Sequence, residues 1–583
     1  MQLAGAGREM GRMDRRFGSD LIVEMLGRLG IEAVSLNPGA SFRGLHDSLV
    51  ALDGPSPILA LHEGVAVAIA HGYAKATGRP MAALVHNLVG LQHASMGIFN
   101  AFSDNAPLIV LGGAGPMDST RRRPWIDWVH TPTIQNTTVR DFTKWDAAPA
   151  SLDAVPDAML RAYRIARTLP EGPTYVALDA LVQEQSVPEG FDLGPVPTSV
   201  PSSFGPPLEV LERFAHALSS AKHPLIIADG VGRSQAAYEA LIQLADRLAV
   251  GVVDLGARHS FPNTHPCDVT FDREAELAAA DVVLVLEPRD LAFAIQGTDH
   301  VRRRSVPLLD PAAQVLCIGT NDLAHRGFID REPVIRNVES AVGDVEIAVP
   351  QLLDLVRPAG AATIGQRRLA LIERHRAMRA ASSSLVGEGR AEITPGALAA
   401  ATWEAVREGP WQLAFPAFRN WARRTWELDR FRCQLGGSGG AGLGYGPGAT
   451  VGAALAHRDD DTLVVSLQPD GDLLYAPMAL WTAAHHRLPL LMVVEDNASY
   501  GADRLHQARV ARSRSRPVDD VGVGIDIEDP RVDIAALGTA FGVGSLRVRD
   551  QADLVPTLVR AAGIARDEGL PVLVQVPVSR PDL

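Results

Sequence analysis

Short, wholly apolar runs alternate with helix-length amphipathic stretches along almost all of this 583-residue chain, and that alternation points to α/β layers built on parallel sheets. Runs such as PLIIA (224–228), DVVLVLE (281–287) and PLLMVVE (489–495) have little polar alternation, as strands covered by helices on both faces require. Within the first third, LIVEMLGRLGIEAVSL reads as helix then strand, ILAL (58–61) as a strand, EGVAVAIAHGYAKATG as a helix ended by Gly78, and MAALV (81–85) as a buried strand. Two breaks interrupt the pattern: the Pro- and Ser-rich LGPVPTSVPSSFGPP at 193–207, and the weaker VRPAGAATIGQ at 356–366. The expected fold is therefore three α/β domains, each a mostly parallel sheet flanked by helices, over 18–190, 205–355 and 380–583.

Apolar residues make up 46% and charged residues 21%, which excludes a disordered chain and a membrane bundle. No apolar run reaches the length of a membrane span, and MQLAGAGREMGRMDRRFG is polar rather than a secretory leader, so the expected location is cytoplasmic. The net charge of −13 argues against nucleic-acid binding. Three dispersed cysteines (Cys267, Cys317, Cys433) offer neither a disulfide framework nor a thiolate zinc site. Lys75, Lys144 and Lys222 are the only lysines, leaving few candidates for Schiff-base or P-loop chemistry.

Glycine is concentrated instead. In GGSGGAGLGYGPG (436–448) eight of thirteen residues are glycine, and no lysine or arginine lies between Cys433 and His457. Such a run lets backbone N–H groups converge on an anion, with a helix N-terminus at ATVGAALA aimed the same way. An anion held here needs an imported positive charge, most economically a divalent cation. A tightly packed loop without a ligand is the alternative.

A cation site follows in the sequence. Asp470, after strand 462–467, and Asn497, after strand 489–495, stand 27 residues apart with a helix expected over 476–486. In a right-handed βαβ unit both side chains reach the carboxyl edge of the sheet, where open α/β folds bind ligands. One carboxylate, one amide oxygen, a backbone carbonyl, phosphate oxygens and water form a hard oxygen shell suited to Mg²⁺, although ordinary turns use the same residues. Glu63 begins a helix in an otherwise apolar neighbourhood, where it is either a solvated helix-start residue or a carboxyl group that exchanges a proton.

Together these features resemble the thiamin-diphosphate-dependent 2-oxo acid decarboxylase and acetohydroxyacid (acetolactate) synthase superfamily over nearly the whole chain. NPGAS and ILALHEGVAVAIAHGYAKATGRP match the pyrimidine-binding domain's turn and glutamate helix. PDGDLLYAPMALWTAAHHRLPLLMVVEDN matches the diphosphate-binding motif, departing from it at Pro469 and Asp496, neither of which is a metal ligand. The resemblance assigns Glu63 to the ring nitrogen of the cofactor's pyrimidine. It gives Asp470, the Asn497 side chain and the Ser499 carbonyl to Mg²⁺, Leu443 to the support of the bent cofactor, and Gly442, Gly471 and Asp472 to the cofactor-binding surface. The local likeness is to the benzoylformate decarboxylase branch, where His86 matches an active-site histidine. That branch has a serine at the position of Ala40, here followed by Ser41, and its second histidine has no counterpart near EPRDLAFAIQG.

The resemblance implies cleavage or formation of a C–C bond beside a carbonyl, on a small 2-oxo acid, with or without carboligation. It also implies a site shared between two chains, hence a homodimer at least and a homotetramer as the expected assembly. A 2-hydroxyacyl-CoA lyase acting on an acyl-CoA is the alternative. An FAD- or nicotinamide-dependent oxidoreductase built on DGVG would ignore Glu63 and Asp470, and the sequence gives no support for bound FAD or ADP. The arginines 121–123, the pair His485 and His486, and the charged stretch 504–522 read as surface, structural and solvated-loop features.

Overall fold

The computed structural model describes residues 16–196, 199–323, 337–386, 392–417 and 420–580; residues 1–15 of the polar N-terminal stretch and 197–198 of the first break lie outside these ranges. Three parallel sheets carry the chain. The N-terminal one contains β1 (Ala33–Leu36), β2 (Ser56–Leu59), β3 (Met81–Val85), β4 (Leu108–Ala114), β5 (Trp145–Ala147) and β6 (Thr174–Asp179), in the order β2-β1-β3-β4-β6-β5. The middle sheet contains β7 (Pro224–Ala228), β8 (Gly251–Asp254) and β9 (Val282–Leu286). After an antiparallel hairpin, β10 (Gln296–Asp299) and β11 (Arg304–Pro307), it is completed by β12 (Gln314–Gly319) and β13 (Val338–Val342), in the order β13-β12-β9-β7-β8. The C-terminal sheet runs β14-β15-β16-β18-β17, from β14 (Trp411–Pro416), β15 (Leu463–Pro469), β16 (Leu490–Asp496), β17 (Gly544–Arg547) and β18 (Val572–Pro577).

The N- and C-terminal sheets share one apolar core. The glutamate helix, Glu63–Thr77, crosses the helix Tyr445–Ala456, and Ile69, Tyr73, Val451 and Ala454 pack together at the crossing. A Cβ on Gly72 would meet the backbone of Ala449, and one on Gly452 would meet the carbonyl of Ile69, so glycine is what lets these backbones touch. Burial of Ile69 and Val451 contributes about 1.5–3 kcal/mol each. Among the described residues, no helix is long and apolar enough to cross a membrane.

Four local expectations change. β2 ends at Leu59 rather than at 61, because the chain must leave the sheet for His62 to cap the glutamate helix. The connection from β15 to β16 is two helices, Asp470–Tyr475 and Ala479–His485, separated at Pro477, which has no N–H to continue the first. The weaker break shrinks, since Ala361–Ser384 is one long helix. Most of the charged 504–522 stretch is helical, within Gly501–Ser513, because Arg, Ala, Leu and Gln favour helix even where no apolar stripe marks it.

Candidate active site

Asp470 is the first residue of its helix, directly after β15, and Asn497 directly follows the neighbouring strand β16. The two therefore stand at one sheet edge. Asp470 Oδ1 accepts the N–H of Gly471 at 2.7 Å, while Asp470 Oδ2 and Asn497 Oδ1 are buried with no hydrogen-bond partner. Unpaired buried oxygens cost free energy, and a hard cation would relieve both at once. Burial, with Asp496 adding to it, pushes the Asp470 carboxyl up to about 6, as expected of an anion held away from water without its counter-charge. Ser499 follows; its hydroxyl donates to Asp526 at 2.7 Å, and its carbonyl accepts from Gly501 at 2.9 Å. Gly471 packs under the ring of Tyr500.

The glycine loop is held by an anion of the protein's own. Asp472 accepts the amides of Gly444 (2.7 Å) and Gly446 (3.2 Å), and the Gln468 amide as well, so its two oxygens anchor the loop. Gly444 sits in the left-handed region, φ 85°, at the start of the Tyr445–Ala456 helix. From the N-terminal half, Asn100 exchanges hydrogen bonds with both backbone groups of Gly442 (3.2 and 3.4 Å). Leu443 stands half-buried between these anchors.

Lys75 also reaches this loop. Its fully buried ammonium donates to the carbonyl of Gly437 (2.7 Å) and to Asp104 (3.0 Å), which lies 3.1 Å from buried His71. Burial pulls Lys75 down to about 7. A helix that starts at Glu63 thus grips the glycine loop near its other end.

The second cluster stands at the carboxyl edge of the N-terminal sheet. Glu63 is buried, and its Oε2 is 3.3 Å from His93 Nδ1. A Cβ on Gly90 would lie 2.7–2.8 Å from His86 and from Glu63 Oε1, so glycine leaves room for both side chains. His86 follows β3. The backbone N–H of Asn87, which can only donate, points at His86 Nδ1 (2.9 Å), so that nitrogen is an acceptor and the Ser41 hydroxyl donates to it at 2.7 Å. His86 is thereby held with N–H at Nε2, and burial together with His130 lowers its basicity. The His130 ring lies 5.4 Å away, edge-on, with its Nδ1 buried and unpartnered.

Glu63, His86 and Gly90 therefore meet at one edge, and Asp470, Asn497, Asp472, Gly442 and Leu443 gather at another. Among the described residues no hydrogen bond or ion pair joins Glu63 to Asp470 or Asn497. Ser41, noted in the sequence one place after Ala40 but given no role there, is the residue that contacts His86; three histidines, His62, His93 and His130, carried no sequence expectation at all. The donor atoms of His62, Glu63 and His93 lie within 4.8 Å of one another, yet His62 Nδ1 already accepts from Gly64 N and the two imidazoles stack face to face rather than converging on a point. Arg122 lies over Trp128 and Arg123 pairs with Asp127, a surface arrangement.

A third feature is a cleft of about 500 Å³ beside the carboxyl ends of β7, β9 and β12, lined in part by Arg167, Arg233, Arg258, Arg289 and Arg432. Asp344 and Asp229 already pair with Arg233 and Arg289.

Residues 16–138 match the family description "Thiamine pyrophosphate enzyme, N-terminal TPP binding domain", and residues 417–576 match "Thiamine pyrophosphate enzyme, C-terminal TPP binding domain". Benzoylformate decarboxylase of Pseudomonas aeruginosa is 26% identical over 95% of this chain and 97% of its own. Acetolactate synthase 3 of Brassica napus is 23% identical over 85% of this chain and 75% of its own. In fold, the chain is similar to the crystal structure of benzoylformate decarboxylase from Polynucleobacter necessarius, with a TM-score of 0.76 at 22% identity over 97% of this chain and all of that one.

Proposed function

The chain belongs to the thiamine-pyrophosphate-dependent enzymes, in the 2-oxo acid decarboxylase and acetolactate synthase group, and from that premise we propose that it decarboxylates a small 2-oxo acid with Mg²⁺ as the second cofactor. The observation that carries the metal is the pair of buried, unpartnered oxygens, Asp470 Oδ2 and Asn497 Oδ1, at adjacent strand ends below a loop without basic side chains. Their hard-oxygen chemistry fits Mg²⁺ bound to a diphosphate, with the Ser499 carbonyl as a further ligand. When bound, thiamin diphosphate supplies the carbon nucleophile and electron sink that a chain with three lysines and three buried or half-buried cysteines does not itself offer.

The protein's own residues bind, orient and move protons. Asp472 and Asn100 fix the glycine loop, Leu443 and Gly442 line it, and Gly471 leaves room for the ring of Tyr500. Glu63 would hold a proton for the ring nitrogen of the bound pyrimidine. His86, kept neutral by Ser41 and the Asn87 amide, presents Nε2–H to the substrate end, with His130 beside it. Glu63 and Asp470 stand at the edges of different sheets with no hydrogen bond or ion pair between them among the described residues, which supports a site completed by a second copy, with a homodimer as the minimum. Exposed Trp125, Trp128 and Ile134 suit such a contact.

The arginine-lined cleft favours a second reading, a 2-hydroxyacyl-CoA lyase whose nucleotide occupies it. A panel of 2-oxo acids, scored for CO₂ with and without an aldehyde acceptor in the presence of thiamin diphosphate and Mg²⁺, tests both. CO₂ release from at least one acid is expected. Silence across the panel, with cleavage of a 2-hydroxyacyl-CoA, would replace the first reading by the second.

A further inference from the structure

We propose that Arg580 is a positioning residue for the cation site, its guanidinium shaping the turn 497–499 so that the Asn497 side chain and the Ser499 carbonyl face the metal; the inference rests on the reading that Asp470, Asn497 and Ser499 hold Mg²⁺. The turn is strained. Ala498 has φ 50°, in the left-handed region that an L-residue adopts at a cost and keeps only where its surroundings impose it. A group outside the turn must therefore supply the hold.

The sheet places Arg580 to do so. It lies just beyond β18, the strand that pairs with β16 so that Pro577 stands opposite Asp496. Its Nε donates to the Asn497 carbonyl (3.0 Å) and its Nη2 to the Ala498 carbonyl (3.4 Å), while Nη1 reaches Asp526 Oδ2 at 3.3 Å. One planar fork thus bonds two successive carbonyls and a carboxylate, which the compact ammonium of a lysine does not reproduce. Glu528 also accepts from Arg580, and Arg504 pairs with Asp526, so the charges of two arginines are met by two carboxylates.

This hold sorts the oxygens of the turn. The Ala498 carbonyl also takes the N–H of Ile527 (2.8 Å), and the Ser499 hydroxyl is committed to Asp526 (2.7 Å). Both carbonyls before Ser499, and its hydroxyl, are therefore satisfied by Arg580 and by residues 526–527. What the turn leaves for a cation is Asn497 Oδ1, buried and unpartnered, and the second lone pair of the Ser499 carbonyl, whose first meets the Gly501 N–H at 2.9 Å.

Calorimetry of thiamin diphosphate binding, titrated with Mg²⁺ and separately with Ca²⁺, tests this without turnover. In Arg580→Ala the Mg²⁺ concentration for half-saturation should rise by about 10–100-fold, the usual cost of losing a group that orients metal ligands. The rise with Ca²⁺ should be smaller, because Ca²⁺ accepts a loosened shell whereas Mg²⁺ requires a near-octahedral one. A loss of stability alone would weaken both cations alike, so equal shifts, or none, would overturn the proposal. Arg580→Lys, which keeps the charge and loses the fork, carries the same test should the alanine variant not fold: the same change in cation preference is expected, and an unchanged preference overturns it. Asp470→Ala separates the two layers. Wild-type cation dependence in that variant removes the cation site and this proposal with it, whereas lost dependence there, with unaltered preference in the Arg580 variants, removes the role of Arg580 alone.

Discussion

At the edge of the N-terminal sheet Glu63 has an imidazole against it, while at the edge of the C-terminal sheet Asp470 and Asn497 present bare oxygens under a loop that contains no lysine or arginine. Both places are strand ends of parallel sheets, the location that topology favours for ligands. The difference lies in how charge is met. The first region is rich in nitrogen and can move protons one at a time. The second has only oxygen acceptors and backbone dipoles, so it can hold a polyanion only together with a cation. A ligand that is both a base to be protonated and a diphosphate to be neutralised would need one region of each kind.

Exchanging the two roles by mutation gives the largest expected effects. Asp470→Ala should remove Mg²⁺-dependent binding of thiamin diphosphate, read by calorimetry; unchanged affinity would reject the cation site. Glu63→Gln should leave that affinity in place and lower turnover by about 10²–10⁴-fold, the usual contribution of a placed proton-transfer group. A Glu63→Gln variant that loses affinity as completely as Asp470→Ala would erase the contrast between the regions.

Much of this division is legible in the sequence, because it rests on periodicity and on spacing within one βαβ unit. Asp470 and Asn497 stand on strands that pair directly, Pro469 opposite Glu495, so 27 residues of local pattern suffice to bring them together. The environment of Glu63 is different in kind. Ser41 and His86 are 45 residues apart, and Glu63 and His93 are 30 apart, joined by side chains from separate helices and turns that no local period encodes. The family pattern has a serine where this chain has Ala40, and the short helical turn Ala40–Phe42 directs the next residue, Ser41, at the imidazole. Asp472 was legible as part of a motif, yet its carboxylate is taken up by the amides of Gly444 and Gly446, a contact visible only when the loop closes over it. Lys75 did leave a signal. It stands four residues after His71 in a helix that is otherwise almost wholly apolar, a spacing that puts two polar groups on one face.

That lysine is what ties one region to the other inside a single chain. Its ammonium, removed from water, is compensated by Asp104 and by the Gly437 carbonyl, and removing one member of a buried pair leaves the other charge uncompensated. Lys75→Met should therefore cost stability toward the lower end of about 3–5 kcal/mol, since Arg289 and Arg258, at 3.7 and 3.9 Å from Asp104, remain to offset part of its charge. Denaturant unfolding checks this. The paired change Lys75→Met with Asp104→Asn should recover part of the loss while cofactor affinity stays weakened, because the grip on Gly437 is not restored. Full recovery of affinity in the double variant would mean that the two regions are aligned by apolar packing alone.

The smallest effect expected is a difference in how the two regions meet acid. His71 is fully buried, and burial lowers its pKa to about 4, with Asp104 opposing that shift; burial also lowers His62 and His86 in the same N-terminal layer. For such a histidine the unfolded chain binds the extra proton first. Between the ordinary imidazole value near 6.5 and the folded value, the unfolded state therefore holds more protons, and stability rises with pH. The contribution is complete above that window and is lost as pH falls through it. Asp470 carries the opposite sign, because its folded value is raised by burial: protonation on acidification relieves its desolvation. In the cofactor-free protein, thermal midpoints measured from about pH 7 down to about pH 5 should fall, as the lowered histidines His62, His71, His86, His259 and His486 outnumber the raised carboxyl groups Asp470, Asp472, Asp254 and Glu171. His71→Gln should make that fall shallower, whereas an unchanged slope would move the acid sensitivity away from the cluster that joins the glutamate helix to the glycine loop.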